Sequence, residues 1–122
     1  MKSSILILLL FCLLCCQDKN PATEQTICGV KDPVHNLPWL GDLVDESKKN
    51  KNAEHLTVAA VTIGEETLIN FTYIYMSCIG CVSYHCDGSR MEWSKYTQEQ
   101  LEKYQNDLFR EDGKKVILWP EK

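Results

Sequence analysis

This sequence has no basic stripe. The 13 lysines and arginines are scattered among 17 aspartates and glutamates, for a formal net charge of −4. No cationic stripe offers a phosphate backbone an electrostatic footprint, so no nucleic-acid partner is expected. Long apolar runs are missing too: the longest, which starts at Ile5 and ends at Cys16, falls short of the ~20 residues that a membrane-crossing helix needs. Histidine is scarce, and there is no Ser/His/Asp set, zinc ribbon or glycine-rich phosphate loop. Hydrolase, transferase and metal-dependent chemistry therefore have no residues to carry them, and neither a catalytic residue, a cofactor nor a metal is expected. Internal repeats are absent, and no low-complexity segment occurs beyond one short polar tether.

What is present begins with an address. Lys2 precedes the apolar run, which has the shape of a secretory signal. Its end, Leu13-Leu14-Cys15-Cys16, resembles the lipobox of bacterial lipoproteins, and that resemblance implies cleavage before Cys16 and lipidation of the Cys16 thiol. The expected organisation is a signal peptide over 1–15, a lipidated N-terminus and flexible tether over 16–26, and a single domain over 27–122. The tether, QDKNPATEQT, is polar and aperiodic. Losing Lys2 leaves 12 basic against 17 acidic residues, so acyl chains rather than charge must hold the protein to a membrane; a multi-chain anchor holds where one chain is marginal. The expected location is the cell envelope, with the protein lipid-anchored to the outer membrane on its periplasmic face or at the cell surface. An ordinary secretory signal, leaving a soluble secreted binding or inhibitor protein, is the alternative.

In the mature chain, Leu37, Leu40, Leu43 and Val44 recur at helical spacing, with Pro38 in the first turn and Asn36 placed to cap. The spacing predicts a helix from about 37 to 50, with Leu40 buried; Gly41 suggests close packing, and Trp39 reads as core rather than as a ligand platform. The segments 55–63 and 67–76 are β-branched and separated by Gly64-Glu65-Glu66, which predicts a hairpin. In the second strand Ile69, Phe71, Tyr73 and Tyr75 share one face, and Leu68, Asn70, Thr72, Ile74 and Met76 the other. Both faces are partly apolar, so the strand should lie centrally. Asn70-Phe71-Thr72 spells a glycosylation acceptor, read here as coincidence in mid-strand. Asp87-Gly88 marks a further turn. A capping-box pattern, Thr97 to Gln100, opens a helix carrying Leu101, Tyr104, Leu108 and Phe109, and Lys115 to Trp119 forms a last strand. The fold class is α+β: a small antiparallel sheet, a meander, with two helices packed on one face and disulfide links.

Four short motifs, Cys28-Gly29-Val30, Asp32-Pro33, Leu37-Pro38-Trp39-Leu40 and Tyr84-His85-Cys86-Asp87-Gly88, resemble those of small uncharacterised lipoproteins of Bacteroides-type bacteria. The resemblance implies location and fold; that group has no established activity to carry over.

The mature domain holds Cys28, Cys78, Cys81 and Cys86. In an oxidising envelope these allow three pairings, and sequence alone does not choose among them. If the strand before Cys78 pairs antiparallel with the strand after Cys81, those two face each other across a turn. That favours Cys78–Cys81 and Cys28–Cys86. The Cys78-x-x-Cys81 pair has a second reading as a redox pair, weakened because Val82-Ser83-Tyr84 favours a strand where a helix start is needed. A zinc site built from Cys78, Cys81 and Cys86 with His85 or Cys28 lacks the second close ligand pair. His35 and His55 read as solvated loop residues. The expected function is a non-enzymatic, membrane-anchored binding or structural role, with an unknown protein or glycan partner met through a sheet face or loops. A thiol-disulfide oxidoreductase using Cys78 and Cys81 is the alternative.

Overall fold

Two prolines open two successive helices: α1, Pro33–Asn36, and α2, Pro38–Lys49. The missing N–H of proline would be unpaired in a first turn anyway. The computed structural model describes residues 25–75 and 82–121. Asn36, expected to cap the longer helix, instead ends α1, and its side-chain amide donates to the Lys31 carbonyl at 2.6 Å. Leu37 takes the cap position in extended conformation, as the residue before a proline tends to do, and no side chain caps α2. Gly41 is where the two helices meet: a Cβ there would lie 2.9 Å from the Val34 carbonyl oxygen. Lys48 and Lys49 close α2, where cations complement the dipole.

Strands β1, Leu56–Ile63, and β2, Glu66–Tyr73, pair along their full length from Leu56↔Tyr73 to Ile63↔Glu66. The tight link uses Gly64 at φ +61°, a conformation that glycine adopts without strain. Strand β3, Ser83–Tyr84, adds to β2, and β4, Lys115–Trp119, adds to the other side of β1. The sheet is antiparallel throughout, in the order β3-β2-β1-β4. After β3 the chain turns at Asp87-Gly88 and returns to bridge Arg90 with Tyr84, as the dipeptide suggested. Helix α3, Gln98–Phe109, starts at the expected capping box, with Thr97 and Gln100 bonding each other's backbone N–H.

The fold is α+β, but its layers differ from the sequence expectation of both helices on one face. Leu40 and Val44 of α2 pack with Leu56, Val58, Ala60, Ile69 and Phe71 on one face. Tyr104 and Leu108 of α3 pack with Ala59, Val61, Ile63 and Leu68 on the other. The reason lies in β1, which is apolar at both parities, so leaving either face to water would expose a row of aliphatic side chains. A register shift between Val58 and Ala59 gives β4 one extra residue, Leu118, which is buried at 1% exposure with the α2-side cluster. Leu40 is fully buried as predicted, Leu101 packs half-buried against the α3-side cluster, and Phe109 is exposed.

Cys28 and Cys86 form a disulfide, with sulfurs 2.00 Å apart and a sequence separation of 58. Cys28 sits in a tight turn in which Ile27 and Val30 exchange backbone hydrogen bonds of 2.9 and 3.1 Å. Both central residues have positive φ, 54° at Cys28 and 78° at Gly29, the backbone of a type I′ turn. The other cysteines singled out by sequence, Cys16, Cys78 and Cys81, lie outside the described residues.

Candidate functional site

Strand alternation puts Phe71 and Tyr73 of β2 on the face that α2 covers, and Tyr84, paired opposite Ile69, joins them from β3. Helix α2 packs on this face through Leu40 and Val44. Between its last turns and the strands lies a cleft of about 220 Å³, with aromatic rings on the sheet side and Glu46, Ser47, Asn50 and Asn52 on the helix side. Phe71 meets Tyr84 edge to face at 5.6 Å between ring centroids, and Tyr84 meets Trp39 at 5.5 Å, contacts that hold aromatic rings in place. Tyr73 is fixed by a 2.6 Å hydrogen bond between its hydroxyl and the Ser47 hydroxyl. The side chains of Glu46, Asn50 and Asn52 make no hydrogen bond among the described residues. Beyond the cleft Tyr75 stacks on Tyr73 at 5.5 Å, and Ile74 and Tyr75 are 78% and 63% exposed.

Trp39 supports this cleft from behind rather than offering a free platform. Its indole N–H donates to the Cys86 carbonyl at 2.9 Å. Gly88 passes so close that a Cβ there would lie 3.0 Å from the Trp39 ring. The disulfide therefore ties down the loop on which Trp39 rests.

A second constellation lies beside the disulfide. Glu66 accepts from the Tyr96 hydroxyl at 2.9 Å, and its other carboxylate oxygen pairs with His85 Nδ1. Burial, followed by the hydrogen bond and charge of Glu66, pushes the Tyr96 hydroxyl up to about 12. The Cys86 sulfur is taken up by Cys28, which removes it from any zinc set with His85. His35 is exposed as expected but not free: its Nδ1 lies 2.9 Å from both Asp32 oxygens and 3.3 Å from Glu121. The Asp32 hydrogen bond, the largest influence, raises its pKa above the ordinary value, and the charges of Asp32 and Glu121 act in the same direction. His55 pairs with Glu54 at 3.2 Å.

On the α3 face the buried polar groups are satisfied. Asn70 donates to Ser83 Oγ at 3.1 Å, and the Ser83 and Tyr104 hydroxyls lie 2.6 Å apart. Asn70 is 1% exposed, so its amide is committed to the core and closed to a glycosylating enzyme in the folded state.

Among the sequence-predicted residues the structure joins Cys28 to Cys86. It also assembles a cleft that the sequence reading did not single out. The alternation of Phe71, Tyr73 and Tyr75 was a usable signal, whereas the approach of Asn50 and Glu46 to those rings depends on how α2 crosses the sheet. No helix among the described residues is long and apolar enough to cross a membrane. No family model, curated protein or solved structure matches the chain.

Proposed function

We propose that this protein is a cell-envelope lipoprotein, held to the outer membrane through Cys16, whose folded domain is a non-enzymatic binding module acting through the cleft between α2 and the sheet. The observation that carries the binding role is the convergence of two kinds of group in one recess. Fixed aromatic rings of Phe71, Tyr73 and Tyr84 supply apolar surface, and Glu46, Asn50 and Asn52 supply unused hydrogen-bonding capacity. Binding sites are commonly built this way, mostly apolar with a few polar groups that orient the ligand. The anchoring role is supported by the lipobox-like Leu13 to Cys16, followed by a polar tether. Likeness to the small lipoproteins of Bacteroides-type bacteria supports the same placement.

Two experiments test the halves separately. Cys16→Ser should abolish lipid labelling and release the protein from the membrane fraction; unchanged labelling and retention would end the lipoprotein reading. A photo-cross-linking benzophenone amino acid in place of Asn50, which inserts into nearby C–H bonds, should give an adduct in intact cells. The same probe in place of Glu99, exposed on the opposite face, should not. Equal yields at both positions, or none at either, would refute the cleft as the binding surface.

A further inference from the structure

We propose that the cleft takes one pyranose ring of an oligosaccharide, an inference that rests on the binding-module reading and gives that site its ligand class. A sugar ring presents two chemistries: a face of polarised C–H groups and a rim of hydroxyls that each donate and accept. The cleft offers a complement to both. Half-buried Tyr73 and Tyr84 carry electron-rich rings that attract such C–H groups, and buried Phe71 backs Tyr84 edge to face; both tyrosines are held by their own contacts, so little ordering remains to be done on binding. On the helix side the Asn50 and Asn52 amides can donate and accept, and the Glu46 carboxylate accepts. The three lie on the last turn of α2 and the loop after it, so they follow one edge of the recess.

Size and charge narrow the class. At about 220 Å³ the recess is smaller than the roughly 300–1,000 Å³ of clefts for drug-sized ligands; it has room for a single ring, with the rest of a chain running out past exposed Tyr75. Among the described residues no lysine, arginine or histidine lines it, so a phosphate or carboxylate would meet Glu46 without a counter-charge there, whereas a neutral sugar would not be repelled.

The test is saturation-transfer NMR of the full chain in detergent solution with cellotriose and N-acetylchitotriose. Saturation should reach the ring C–H protons of at least one sugar. Asn50→Ala and Glu46→Ala, both at exposed positions whose side chains make no hydrogen bond among the described residues, should each weaken binding by about fivefold to tenfold, the scale of one net hydrogen bond. Tyr84→Leu should abolish binding, with circular dichroism reporting whether the fold is kept. Binding that ignores both exposed substitutions would overturn the site assignment. If neither sugar binds while the benzophenone at position 50 captures a protein in cells, the sugar inference fails and the binding-module reading stands. If neither sugar binds and nothing is captured, both fail.

Discussion

Cys28→Ser removes the covalent tie between the turn at Ile27–Val30 and the loop that follows β3, while changing one atom in each molecule. In the native state this disulfide spans a sequence separation of 58. Restricting a loop of that size in the unfolded chain is worth about 14 cal/mol/K, or about 4 kcal/mol at 25 °C, in the loop-entropy account. A small domain has only about 5–15 kcal/mol in total, so the loss should be large. Because each 1 kcal/mol lowers Tm by about 4–8 °C in a domain of this size, the variant should melt roughly 15–30 °C below the parent. The same substitution frees the loop carrying the Cys86 carbonyl that anchors Trp39, so near-ultraviolet dichroism from Trp39 should weaken at temperatures where the fold survives. The assays are urea unfolding of oxidised protein, and thiol titration under denaturing conditions, which should count one more free thiol than in the parent, at Cys86. A loss under about 1 kcal/mol, or a peptide map joining Cys28 to Cys78 or Cys81, would refute the reasoning.

Three further outcomes follow from the packing and electrostatics. Leu40→Ala, at a fully buried position, should cost about 2–5 kcal/mol in urea unfolding; half-buried Leu101→Ala should fall at or below the bottom of that range, and equal losses would argue against the helix contacts described. Tyr104→Phe removes one partner of Ser83 in the buried network with Asn70 and should cost about 0.5–1.5 kcal/mol, measured the same way. In an absorbance titration at 295 nm, Tyr96 should ionise at about 12, and Tyr96→Phe should remove one tyrosine from that late phase. Because its folded pKa lies above the ordinary value of about 10, the Tyr96 contribution to stability is fully present below pH ~10 and is lost as pH climbs towards ~12. A late phase unchanged by Tyr96→Phe would contradict the Glu66 contact.

Local physics made much of the fold legible. Proline at a first helical turn, the reciprocal bonding pattern of Thr97 and Gln100, and the two-residue break at Gly64 act over a few residues, so the sequence alone located α2, α3 and the β1–β2 hairpin. The Cys28–Cys86 pairing was favoured on weaker grounds, and the structure shows it. Layering was also written in the chain, in the double apolar parity of β1 and β2, yet parity says only that both faces need covering and not which helix covers which. That assignment waits for tertiary structure, because it depends on how each connection leaves the sheet.

The same limit explains the candidate site. Aromatic alternation along β2 is a property of one strand and could be read directly. The cleft also requires the last turns of α2 to lie over the strands, Tyr84 to arrive beside Phe71 from β3, and Ser47 to meet the Tyr73 hydroxyl across 26 positions of sequence. Those distances are set by the joint packing of a helix, a strand and a disulfide-tied loop. The sequence determined which side chains carry the chemistry; only the folded arrangement decided that they share one recess.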